Sequence, residues 1–96
     1  MPSIEQIKSA TETILAKNGA SFVGLFGSFA RGEASEDSDV DLLVTFDPGK
    51  SLLDVIGLEQ EVSAKLGRKV DLVTTGSLNP YLKDYVMADL KTIYAR

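Results

Sequence analysis

From Val40 to Phe46 the chain reads Val-Asp-Leu-Leu-Val-Thr-Phe, a strand signal closed by the turn residues Asp47-Pro48-Gly49. A strand of this length needs hydrogen-bonding partners, and two other runs supply them. Ser21 to Phe26 is rich in aromatic and β-branched residues and ends at Gly27-Ser28, while Val70 to Thr74 forms a third run. Segments of helical spacing alternate with these strands. Ser3 and Gln6 fit a capping box ahead of Ile4, Ile7, Thr11 and Ile14, and Asn18-Gly19 supplies a stop. Ser51 and Asp54 start a second helix whose apolar face holds Leu52, Val55, Ile56, Val62 and Leu66, ended by Gly67. Asn79-Pro80 caps a last helix carrying Leu82, Tyr85, Val86 and Leu90, and Thr92 to Tyr94 reads as a terminal edge strand. The expectation is an α/β (α+β) fold with a small mixed sheet of three to four strands flanked by helices. Strand order does not follow from the pattern.

Ninety-six residues with 44% hydrophobic content suit one compact domain spanning 1–96, of modest stability at this size. A net charge of −4 without a concentrated Lys/Arg run argues against nucleic acid as the main partner, since phosphate-backbone affinity needs basic groups. Cysteine and histidine are both absent, which removes disulfides, thiolate zinc sites and imidazole acid–base chemistry. Catalysis must then run on carboxylates, hydroxyls, Lys, Arg or metal. No apolar stretch reaches membrane-spanning length and the first residues lack a basic-then-apolar leader, so a cytoplasmic protein away from membranes is expected.

Asp39 and Asp41 stand two residues apart, so the strand period points both carboxylates to one face, roughly 6 to 7 Å apart. Val40, Leu42, Val44 and Phe46 point the other way and can pack on a helix, leaving the acidic face free for a site. Adjacent like charges repel, and a hard divalent cation shared with phosphate oxygens relieves them. From the pair alone, a solvated strand end is the commoner reading. Gly27-Ser28 changes that balance: the glycine lets backbone approach a phosphate, the hydroxyl adds a donor, and Arg31 can contact phosphate directly. Asp71, alone within Val70-Asp71-Leu72-Val73, either completes a carboxylate triad with Asp39 and Asp41 or pairs with Lys69 or Arg68.

Gly27-Ser28-Phe29-Ala30-Arg31-Gly32 followed by Ser38-Asp39-Val40-Asp41-Leu42-Leu43-Val44 resembles the signature of the DNA polymerase β-type nucleotidyltransferase superfamily. Over nearly its whole length the chain is similar to the minimal nucleotidyltransferases, the antitoxin half of HEPN/MNT toxin–antitoxin pairs. The resemblance implies that Gly27 and Ser28 hold the triphosphate, that Asp39 and Asp41 bind two Mg²⁺ ions, and that Asp71 is the third carboxylate, which helps activate the attacking hydroxyl. It implies transfer of AMP from ATP to a hydroxyl, with a tyrosine of a HEPN-type helical toxin as acceptor and a hetero-oligomer with that partner.

Two other functions fit the same residues: a non-catalytic antitoxin that neutralises its partner by contact alone, and a domain that binds a nucleotide as a signal. Neither Gly-x-Gly-x-x-Gly nor Gly-Lys-Ser/Thr occurs, which removes dinucleotide and Walker-type binding. Tyr81 and Tyr85, at helical spacing, read as half-buried packing residues, and Lys50, Lys65, Arg68 and Lys83 as a solvated face.

Overall fold

The computed structural model describes residues 1–96. Ser3 starts the first helix through the expected reciprocal cap, its hydroxyl accepting from Gln6 N while Gln6 Oε1 accepts from Ser3 N. Helix α1 (Ile4–Ala10) then widens into a π turn over Thr11–Leu15 and tightens to a 3-10 turn over Ala16–Asn18. The sequence pattern alone reads as a uniform helix. Side chains capture main-chain acceptors along it: Thr11 Oγ1 donates to Ile7 O at 2.9 Å and Asn18 Nδ2 to Ile14 O at 2.6 Å. Such back-bonding competes with the regular i to i−4 ladder.

Four strands form one mixed sheet in the order β3-β2-β1-β4: β1 (Ala20–Phe26), β2 (Val40–Phe46), β3 (Val70–Thr74) and β4 (Lys91–Ala95). Strand β1 lies antiparallel to β2 and β4, whereas β2 and β3 run parallel, joined by α3 (Leu52–Leu66). A parallel pair needs such a crossover, and the α3 pattern between the two strand runs supplies it. Ser51 and Asp54 form the expected capping box, and Gly67 ends the helix at φ +65°.

Helices α1 and α3 cover one sheet face, where Ile7, Leu15, Leu58 and Val62 pack with Val23, Leu25, Val40, Leu42 and Val44. The buried stripe of α3 differs from the expected one. Leu58 and Val62 are buried and Val55 and Leu66 half-buried, but Leu52 and Ile56 are exposed. Positions 55, 58, 62 and 66 form a continuous i, i+3, i+4 stripe, and Leu52 and Ile56 fall off its sheet-facing side.

On the opposite face, α4 (Pro80–Asp89) seats Val86 against Phe26 and Leu43, with Phe22, Val73, Leu78 and Leu90 around them. Alternation suggests a face left open along β2, but Leu43, two residues beyond Asp41, is buried beneath this helix. Only the Asp41 end remains available. Tyr81 and Tyr85 are not half-buried packing residues: they are 95% and 53% exposed, because Val86 and Leu90 carry the contact with the sheet. Tyr85 still meets Phe26 edge-on, with ring centroids 6.4 Å apart.

Candidate active site

Strand register brings two of the three acids side by side. Asp41 lies opposite Asp71 across the parallel β2–β3 pair and opposite Phe26 across the antiparallel β1–β2 pair. Paired residues on neighbouring strands point to the same face, so Asp41 is the middle member of a row that begins with Asp71. Asp39 comes immediately before β2, where Val40 N donates to Lys69 O at 3.0 Å and so anchors the strand entrance to β3.

Helix α3 fixes the strand that carries Asp71. Ser63 Oγ accepts from Val70 N at 3.0 Å and Glu59 Oε2 accepts from Leu72 N at 2.7 Å. These two amides flank Asp71 on an edge strand and would otherwise lack partners. Residues 59 and 63 are one helical turn apart, so a single helix face holds both. The sequence reading missed this function, because the hydrogen-bonding of a polar side chain on an amphipathic helix has no periodic signature.

The turn after β1 approaches the row of acids from the other side. Gly27 adopts φ +75° and ψ −155°, a conformation nearly confined to glycine. Beyond it Ser28–Arg31 forms the short helix α2, with Arg31 N donating to Gly27 O at 3.1 Å and Glu33 N to Ser28 O at 2.9 Å. Gly27 is buried against the Asp41 carboxylate and Ser28 is half-exposed beside it in the chain.

This crowding changes the chemistry of Asp41. Burial, then the charges of Asp71 and Asp39, then a hydrogen bond with Asp71, push its carboxyl up from the ordinary 3.8 to about 6, with Arg31 opposing. Three like-charged oxygen groups at one end of a sheet form a hard donor set of the kind that takes Mg²⁺. They are not closed around a single point: as the side chains stand, no group of three acids encloses a metal position. The Lys69 ammonium instead lies between the outer acids, 3.8 Å from Asp39 Oδ2 and 3.9 Å from Asp71 Oδ1. Asp71 thus stands beside Asp41 in the sheet and pairs with Lys69, the salt-bridge alternative, at its outer side. The donor chemistry fits a divalent cation that replaces the lysine charge.

Arg31 turns towards α4. Its Nη1 donates to Asp89 Oδ2 at 3.0 Å, and its Nε lies 3.6 Å from Glu33 Oε2. Asp89 first, then Tyr85, raise its basicity further. Arg68 does not belong to a solvated face: its Nη1 donates to the carbonyls of Ser35, Glu36 and Ser38 at 2.9, 2.8 and 2.8 Å, and its guanidinium lies 5.7 Å from the Phe29 ring centre. A cavity of about 380 Å³ reaches Asp41 and Asp71 from the α4 side, walled by Phe26, Leu82, Tyr85 and Val86.

The nucleotidyltransferase domain family matches residues 5–93. The chain belongs to the nucleotidyltransferase domain family. This nucleotidyltransferase domain is similar to the protein adenylyltransferase MntA of Thermococcus cleftensis, 43% identical over 91 residues covering 94% of this chain and 92% of the relative. It is also similar to a Methanocaldococcus jannaschii protein provisionally named a protein adenylyltransferase, 45% identical over 88% of this chain and 91% of that one. Among solved structures, one described as a candidate minimal nucleotidyltransferase is 41% identical, with a TM-score of 0.77 over 94% of this chain and 95% of the other. The fold also matches a chain of the Shewanella oneidensis complex of tri-AMPylated HEPN toxin with MNT antitoxin, at 21% identity and TM-score 0.77, covering 97% of this chain and 73% of that one. No helix of the nucleotidyltransferase domain is long and apolar enough to cross a membrane.

Proposed function

We propose that this nucleotidyltransferase is a Mg²⁺-dependent protein adenylyltransferase that acts as an antitoxin, moving AMP from ATP to a tyrosine hydroxyl of a HEPN-type helical partner. The observation that carries the reading is the convergence on Asp41 of Asp71 from the next strand and of the Gly27 turn. The family supplies the reaction class, the Thermococcus relative is named for adenylyl transfer, and the Shewanella fold neighbour is an antitoxin bound to an AMP-modified toxin.

In this reading the acceptor oxygen attacks the α-phosphorus of ATP, a new P–O bond forms, and the bond to pyrophosphate breaks. Asp39 and Asp41 would hold two Mg²⁺ ions, which would polarise phosphate oxygens and make the attacking hydroxyl more acidic. Asp71 accepts the hydroxyl proton. The glycine at 27 lets the backbone approach the triphosphate without a side chain in the way, Ser28 adds a hydroxyl donor, and Arg31 exchanges Asp89 for a phosphate oxygen. The cavity walled by Phe26, Leu82, Tyr85 and Val86 suits the acceptor's aromatic ring, because its apolar sides lead to the carboxylates of Asp41 and Asp71.

Intact mass measurement of the helical partner after incubation with this protein, ATP and Mg²⁺ tests the reading. Addition of AMP that disappears with Asp39→Asn supports it; an unmodified partner that nevertheless binds and is silenced overturns it. That second outcome would favour neutralisation by contact alone, to which the exposed Leu52, Leu53 and Tyr81 side chains would lend a surface.

A further inference from the structure

The loop 33–39, between α2 and β2, has little apolar content with which to fix its own shape, yet it must deliver Asp39 to a defined place. Within the loop, Ser38 N donates to Ser35 O at 3.1 Å and Ser38 Oγ accepts from Ser35 N at 2.8 Å, which closes a small ring. That ring turns three carbonyls, those of Ser35, Glu36 and Ser38, towards one point, and Arg68 Nη1 occupies it at 2.8 to 2.9 Å from each. One nitrogen carries two N–H groups, so the three acceptors share two donors and the cationic charge. The other side of the guanidinium lies over Phe29, a buried residue of α2, with 5.7 Å between its central carbon and the ring centre.

Arg68 is therefore a junction of three chain segments. Phe29 belongs to the helix that follows Gly27-Ser28, the carbonyls belong to the loop that ends at Asp39, and Arg68 itself is two residues ahead of β3 and three ahead of Asp71. Each segment carries one part of the site, and no other side chain contacts all three through polar or aromatic groups. A solvated surface arginine would be expected to hold none of them.

We propose that Arg68 is a positioning residue for the metal–nucleotide site, holding the 33–39 loop so that Asp39 meets Asp41 and Asp71 with the Gly27-Ser28 turn in register. The assignment rests on the active-site reading above, and it concerns a side chain that touches neither nucleotide nor metal. Outer partners that orient ligands of this kind contribute roughly 10- to 100-fold to metal affinity.

The test measures binding of Mg²⁺ with the α,β-methylene ATP analogue AMP-CPP, which resists cleavage at the α–β bridge, by calorimetry, alongside amide hydrogen exchange of residues 35–39. Arg68→Met keeps an apolar stem over Phe29 and removes the donors; Arg68→Leu serves in its place if the methionine does not fold. Either folded variant is expected to bind at least tenfold more weakly and to exchange faster across the loop. Arg68→Lys, whose ammonium presents donors to the carbonyls but does not stack on Phe29 as a guanidinium does, is expected to recover part of both. Binding by a folded Arg68→Met or Arg68→Leu within twofold of the unsubstituted protein, while Asp39→Asn binds at least tenfold more weakly, would overturn the positioning role and leave the active site standing. Equal binding by the unsubstituted protein and Asp39→Asn would overturn the active-site reading, and the positioning role with it.

Discussion

Gly27 leaves no room for a β-carbon beside Asp41: one built there would press into the Asp41 carboxylate, 3.2 Å from its Cγ and closer still to Oδ2. The turn after β1 and the acid of β2 are thus fitted to one another, and the fit is made of backbone on one side and a carboxylate on the other.

Gly27→Ala combines that collision with a backbone conformation that other residues reach only at a cost of roughly 1 to 3 kcal/mol. Thermal unfolding is expected to fall by at least about 4 °C for a domain of this size. Combining it with Asp41→Ala removes the collision but not the backbone strain, so the two effects should fall short of additivity. An unchanged melting temperature in Gly27→Ala would show that the turn can relax, contrary to the fit described here.

Asp41 links the site to pH. Its folded carboxyl titrates at about 6 against an ordinary 3.8, so the protonated form is the one the fold favours. Stability from this group is present in full below about pH 3.8 and is lost as pH rises through about 6. At pH 7 without metal, Asp41→Asn is expected to be more stable than the unsubstituted protein by about 1 kcal/mol, the full shift being discounted for solvent screening at this half-exposed site. Parallel melting curves from pH 4 to 7.5 check this: the advantage should shrink towards pH 4. With Mg²⁺ added the order should reverse, since the asparagine loses a charged ligand.

Much of this arrangement is legible in the sequence. The caps at Ser3, Ser51 and Asn79 have local signatures and appear where those signatures lie. The Asp-x-Asp spacing and the Gly27-Ser28 turn are short-range patterns, and the terminal strand around Ile93 follows from β-branched and aromatic residues. Other parts depend on contacts between distant segments. The exposure of Leu52 and Ile56 depends on where α3 lies along the sheet, and the burial of Leu43 depends on α4 returning over β2. Arg68 and Glu59 resemble solvated residues by type, because their acceptor and donor partners are main-chain groups brought near by tertiary folding.

Arg31 offers a direct separation of packing from substrate contact. Both Arg31→Gln and Asp89→Asn remove the ion pair that ties α2 to α4, and the two should lower thermal stability to a similar, small extent. Only Arg31→Gln removes the proposed phosphate contact, so it alone should raise the KM for ATP, by roughly tenfold for one charge-assisted hydrogen bond. Steady-state AMP transfer by the two variants checks this. Equal KM values would assign Arg31 to the α4 contact and remove it from the nucleotide site.

Gly24 sets how closely α4 can approach the sheet. It is buried in β1 with ordinary backbone angles, and an added β-carbon would run into the Leu90 side chain, 3.1 Å from its Cγ and nearer to Cδ1. Leu90 joins α4 to β4 and packs with Val86, Phe26 and Leu43. Moving it would shift Asp89 and Tyr85, and with them Arg31 and the wall of the cavity beside Asp41 and Asp71. Gly24→Ala is accordingly expected to destabilise by about 1 to 3 kcal/mol through overpacking. Leu90→Ala alone should also destabilise, by opening a gap, yet the double variant should melt above Gly24→Ala because the new methyl fills part of the space that leucine vacates. Calorimetric melting of the three variants decides the matter: strictly additive losses would mean that Gly24 and Leu90 do not compete for the same space, and that α4 is seated by its other contacts.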